Sequence, residues 1–107
     1  MHGQPVTDDD FDDEVLGSDI PVLVDFWAPG CRPCVVMASI VDGLARELEG
    51  RVKVYTANTH EAQEAAQRHG VYRVPTVLVL RAGKVEAHLS GLRTREELLD
   101  ALAPGLG

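Results

Sequence analysis

With 107 residues, 45% of them hydrophobic, the chain is long enough to bury one core without disulfide staples. Its formal net charge of −7 argues against nucleic acid and anionic membrane as partners, and no apolar run approaches the length of a membrane span. Residues Met1–Val6 lack the basic and apolar blocks of a secretory signal, so a cytoplasmic location is expected.

The charge is unevenly placed. Asp8, Asp9, Asp10, Asp12, Asp13, Glu14, Asp19 and Asp25 all precede Arg32, the first basic residue of the Lys/Arg type, and the rest of the chain is close to neutral. The run from Asp8 to Glu14 reads as a solvated first helical turn whose acids suit the dipole. Thr7 is its candidate N-cap, Phe11, Val15 and Leu16 its inward face, and Gly17 its end.

Val22-Leu23-Val24-Asp25-Phe26 then reads as a strand, apolar enough to be central and covered on both faces. Its one carboxylate is costly to bury ionised, so Asp25 is expected to have a raised pKa unless it sits at the strand end and reaches water. Met37, Ile40, Val41, Leu44 and Leu48 recur at helical spacing, with Asp42, Arg46, Glu47 and Glu49 mostly opposite, and Gly50 closes that helix. Val52, Val54 and Ala57 mark a further strand. Glu61 to His69 is a short Ala-rich helix stopped by Gly70, with a small inward face and therefore a weak hold.

Val77–Leu80, the turn Arg81-Ala82-Gly83-Lys84 and Val85–Leu89 form an antiparallel hairpin pattern. Thr94 followed by Glu97 is a capping-box signature ahead of Leu98, Ala101 and Leu102, and Pro104 with Gly105 is expected to end that helix in a frayed terminus. Strand and helix signals alternate with no linker or repeat, which predicts one α/β domain over residues 1–107.

Both cysteines of the chain, Cys31 and Cys34, stand two residues apart just after the first central strand. Two thiols in one helical turn can close a small ring. The first, at the helix N-terminus, is favoured as thiolate by backbone N–H groups and the macrodipole. Structural zinc is the main competing reading, but it requires a second ligand pair, and His2, His60, His69 and His88 do not supply one. Two buried structural cysteines are the remaining alternative.

The lead-in Val24-Asp25-Phe26-Trp27-Ala28, the Cys31-x-Pro33-Cys34 motif, the Val74-Pro75-Thr76 triplet and Gly91 occur in the order and spacing of the thioredoxin family, which the chain resembles from about Thr7 to Leu102. The resemblance implies a central mixed sheet flanked by helices, the thioredoxin fold. It assigns Cys31 as exposed nucleophile, Cys34 as buried resolving thiol, Asp25 as the carboxylate handling the resolving thiol's proton, and Pro75 as a cis-proline facing the cysteines. Val74 would offer backbone groups to an extended client strand, Gly91 would let that strand approach closely, and Trp27, Gly30 and Arg32 would border it.

Six positions depart from the commoner family pattern. Gly30 stands where a Trp is usual, Arg32 replaces a Gly between the cysteines, and Val35 takes a commonly basic position. Thr56 replaces a Lys near the buried carboxylate, His60 an Asp, and Ser39 a helix-kinking Pro.

The expected activity is reduction of protein disulfides through a Cys31/Cys34 dithiol, with no bound cofactor. The resemblance implies electrons from NADPH through a flavoprotein reductase of the thioredoxin-reductase kind, client proteins bearing disulfides, and a chain acting as a monomer. A thiol oxidant or isomerase is the alternative within the same chemistry, and a non-catalytic binding module the alternative from another class.

Overall fold

The structure, a computed structural model, describes residues 3–106; His2, one of the histidines weighed as a metal ligand, lies outside them. Strands Gln4–Val6 (β1), Val22–Trp27 (β2), Lys53–Asn58 (β3), Thr76–Arg81 (β4) and Lys84–Ser90 (β5) form one sheet in the order β1-β3-β2-β4-β5. β1, β3 and β2 are parallel, while β4 and β5 join antiparallel. Helices Arg32–Glu47 (α1), Gln63–Arg68 (α2) and Arg95–Leu106 (α3), with a π-helical turn at Asp12–Leu16, cover the sheet.

The two-residue period of a strand sorts the core into two layers. Val22, Val24 and Phe26 of β2 pack with Leu78 and Leu80 of β4, Phe11 and Val15 of the N-terminal turn, and Ala65 and Ala66 of α2. Leu23, Val77 and Val79 point the other way, onto Met37, Val41 and Leu44 of α1 and Leu98 and Leu102 of α3. Asp25 has the parity of Leu23 and therefore emerges on the face that α1 covers. Thr56 lies opposite it on β3 and Val77 on β4.

Several elements differ from what the residue pattern predicts. β1 carries no sequence signal, because it is three residues long and contains Pro5, yet it pairs with Tyr55–Ala57 at the sheet edge, where a proline is tolerated. The Pro104-Gly105 stop does not end α3, which continues to Leu106. Pro104 removes only the N–H that would donate to the Asp100 carbonyl, a loss confined to one bond near the helix end. The Pro104 carbonyl accepts from Arg81 at 2.8 Å, and a Cβ at Gly105 would meet Pro21 Cγ at 2.5 Å, so the glycine is a packing contact. The capping box at the start of α3 forms as its pattern predicts: Glu97 N donates to Thr94 Oγ1 and Thr94 N to Glu97 Oε1, both at 3.1 Å.

The hairpin turns on Ala82 and Gly83, both at positive φ, as a two-residue connection between right-twisted strands requires. Glu86 is the extra residue of a bulge between the Val79–Ala87 and Leu80–Val85 pairs.

The acidic run does more than solvate a helical turn. Asp10 accepts from Thr7 N at 2.8 Å, and Asp12 pairs with Arg68 at 2.7 Å. Asp8 reaches across the fold to cap α2, accepting from Glu64 N at 3.0 Å and Ala65 N at 2.9 Å. A helix of six residues has few bonds of its own, so this borrowed cap matters to it. Asp8→Ala is expected to cost about 1–2 kcal/mol and to speed amide exchange across residues 63–68 ahead of the rest of the chain. Uniform loss of protection would place the effect elsewhere.

Candidate active site

The carboxyl ends of β1, β2 and β3 and the start of β4 coincide, since Phe26 pairs with Thr76, Trp27 with Asn58 and Val6 with Ala57. Ser90, at the end of β5, joins them opposite Thr76. The connections leaving this end of the sheet carry the residues of interest.

Cys31 caps α1. Its backbone is extended and its Sγ accepts from Cys34 N at 3.2 Å, so the sulfur occupies the place where a serine or aspartate oxygen would take a free N–H. In the dithiol form the same N–H and the helix dipole favour a thiolate there. Arg32 and Pro33 open the helix; proline is at ease in a first turn that has no carbonyl for its missing N–H. Cys31 is partly exposed and Cys34 buried, and the two sulfurs are bonded to each other, with Cα atoms 5.2 Å apart. No group of three or more His, Cys, Asp or Glu side chains among the described residues could hold a metal ion.

Asp25 is 1% exposed, and its Oδ1 has no hydrogen-bond partner among the described residues. Burial pushes its pKa up to about 7, with no neighbouring cation to oppose the shift. This removes the alternative of a strand-end carboxylate reaching water. Thr56, where the family often has a lysine, lies directly opposite it. Asp25, Trp27, Gly30, Cys31, Cys34 and Thr56 all border one groove of about 400 Å³. The carboxylate and both sulfurs therefore share a single space under the start of α1.

The groove also has walls that sequence reasoning passed over. Ala28, Pro29 and Ala38 line it beside Val35, which is 72% exposed. Ala28 and Pro29 lie in the loop before Cys31 and Ala38 one turn beyond Cys34 on α1, so the only signal for them was closeness to the cysteines in the chain. Ser39 leaves α1 unbroken from Arg32 to Glu47.

Arg32, Val74, Pro75 and Gly91 do not line that groove. Arg32 is exposed at the first position of α1. The Val74–Pro75 peptide is cis, and the Pro75 carbonyl accepts from Gly91 N at 2.8 Å. Gly91 has φ +86, a conformation that side chains with a Cβ rarely adopt, so this link between the ends of β5 and β4 favours glycine. Thr76 Oγ1 donates to Arg73 O at 2.7 Å and ties down the loop before the proline. His60 is exposed, and its N–H donates to Asn58 Oδ1 at 2.9 Å.

A sequence model of the thioredoxin family matches residues 3–104. The chain is 47% identical to thioredoxin 1 of Nostoc sp. over 79 residues, 74% of each chain. It is 41% identical to a thioredoxin of Rickettsia felis over 95 residues, 89% of this chain and 90% of the relative. Against the chloroplastic M-type thioredoxin of Pisum sativum the identity is 47% over 81 residues, 76% of this chain and 47% of that one.

Proposed function

The chain belongs to the thioredoxin family and is a protein-disulfide reductase, and from this we propose that Cys31 attacks the client, Cys34 resolves the mixed disulfide and Asp25 manages the proton. Cys31 thiolate displaces one client sulfur as thiolate and bonds to the other. Cys34, giving its proton to Asp25, attacks Cys31 Sγ; the second client sulfur leaves, and the Cys31–Cys34 disulfide forms. The client gains two electrons and the protein loses them.

The observation that carries this reading is the buried Asp25 carboxyl sharing the groove with both sulfurs, at a pKa of about 7 where it can take and return a proton near neutrality. A turnover assay on a protein disulfide, read across pH 6 to 8 for the wild type and Asp25→Asn, tests it: the variant should lose the pH dependence of resolution along with most of its rate. Equal profiles would reduce Asp25 to a structural residue.

Membership of the family implies a thioredoxin reductase as donor and disulfide-bearing proteins as clients. We further propose that electrons reach the pair from NADPH through a flavoprotein reductase, that the chain works as a monomer with no bound cofactor, and that it does so in the cytoplasm. Client strands would lie against the Val74 backbone, with Pro75, Gly91 and Trp27 around them and Gly30 and Arg32 on the cysteine side. Support for the strand comes from the open backbone before β4 and the positive-φ glycine beside it.

Arg32, which stands between the two cysteines in the chain and is exposed at the first position of α1, tunes the poise of the pair. A guanidinium at roughly 7 Å in a surface dielectric of about 40–80 favours the thiolate by about 0.6–1.2 kcal/mol, so Arg32→Gly should raise the Cys31 pKa by about half to one unit. By destabilising the reduced form it should also make the potential more negative by roughly 13–26 mV. Both changes should shrink in high salt, because the arginine is exposed. Thiol titration and equilibration with a glutathione buffer measure them; an unchanged potential would show that Arg32 points away from the sulfur.

A further inference from the structure

The charges around the site end of the sheet are sorted by side. Asp8, Asp9 and Asp10 follow β1 and Glu61 follows β3, whereas Arg32 follows Cys31 and Arg73 precedes the cis Val74–Pro75 peptide on the way into β4. Arg68, Arg81, Arg93 and Arg95 are each paired with a carboxylate. Arg46 and Arg51 lie at the other end of the sheet, in the last turn of α1 and the turn before β3. That leaves Arg32 and Arg73 as the exposed arginines at the site end of the sheet with no carboxylate partner among the described residues.

Arg73 is also part of a cavity. With Thr59, Val71, Tyr72 and Val74 it lines a cleft of about 190 Å³, separate from the groove that holds the sulfurs. Tyr72 is 84% exposed, so the face of its ring is open to a ligand. A guanidinium fork, a phenol ring and a threonine hydroxyl around a small cleft match a carboxylate on a short aliphatic stem: the arginine can bind both oxygens, and the ring can cover the methylenes.

We propose that this cleft is a subsite for an aspartate or glutamate side chain of the client, and that disulfides flanked by acidic residues are the preferred substrates. The inference rests on the reductase function and on the client strand lying against Val74. The chain's overall charge of −7 works in the opposite sense, but its distant carboxylates are screened at a Debye length of about 10 Å in 0.1 M salt, whereas Arg73 meets its partner directly.

The test uses the full-length reduced protein and three disulfide-linked peptides identical except for Glu, Gln or Lys beside the cysteine, with neutral 2-hydroxyethyl disulfide as reference. In about 0.1 M sodium chloride the Glu peptide should be reduced about five-fold faster than the Gln peptide, and the Lys peptide more slowly. In about 1 M salt the Glu/Gln ratio should fall below about two-fold. Arg73→Gln should bring that ratio close to one, and Arg73→Glu should invert it. Equal rates for the Glu and Gln peptides in the wild type, or an undiminished Glu preference in Arg73→Gln, would overturn the subsite while leaving the reductase intact. Failure to reduce 2-hydroxyethyl disulfide would overturn the reductase reading, and the subsite with it.

Discussion

Cys34→Ser is expected to attack a disulfide client and stop with the client bound to Cys31, whereas Cys31→Ser should not react at all. The asymmetry follows from helix position. Cys31 Sγ sits at the N-cap, partly exposed, where the Cys34 N–H meets it; Cys34 is buried one turn further in. Only the first can start the exchange, and only the second lies where it can finish it. Mass spectrometry of the trapped species should find the client on Cys31 in Cys34→Ser, with multiple turnover reduced by several orders of magnitude in both variants. Client trapped on Cys34 in Cys31→Ser would reverse the assignment.

Asp25→Ala is expected to strengthen the fold and weaken the catalyst. Burial raises Asp25 from 3.8 to about 7, so between those values the folded protein holds a proton that the unfolded chain has released. Stability attributable to this group therefore falls as pH rises through the window, and the full penalty is present above pH 7. A shift of about three units corresponds to about 4 kcal/mol. Allowing for lost packing, Asp25→Ala should gain about 2–4 kcal/mol at pH 8, with the gain passing through zero to a small net loss as pH approaches 4, where only the packing cost remains. Resolution of the mixed disulfide near pH 7 should slow by about ten-fold or more if Asp25 takes the Cys34 proton as proposed. Urea titrations at several pH values read the first effect and single-turnover kinetics the second; a stability gain that is independent of pH would mean that packing, not ionisation, is responsible.

Local chemistry was legible in the residues, and long-range chemistry was not. The near-continuous apolar run Val22–Phe26 and the helical spacing of Met37, Val41 and Leu44 are facts about neighbours, and with the two-residue period of a strand they place Asp25 and Cys34 on facing elements. Thr94 and Glu97 cap their helix within four residues and are equally visible. β1 was hidden because its only reason to be a strand is an edge roughly fifty residues away. At the end of α3 the stop signal of Pro104 and Gly105 is local, and contacts with the distant Arg81 and Pro21 outweigh it. At the site, the cysteine spacing and the lone carboxylate in an apolar run announced themselves, since each is anomalous in its own window. Arg73 and Tyr72 did not: nothing in their local sequence says that they line a cleft with Thr59, from a loop more than ten residues earlier.

The cap that Asp8 gives to α2 and the pairing of β1 with β3 bear on how the chain is made. The first strand leaves the ribosome well before the partner it needs, Lys53–Asn58, has been synthesised, and during that interval it is an unpaired edge. Pro5 within it removes a donor that another chain could use, and the carboxylates from Asp8 to Glu14 immediately behind it repel a second nascent copy carrying the same run. The charge behind β1 thus stands beside an edge that has no partner until Lys53–Asn58 is made, and Asp8 finds its own partner, the start of α2, later still.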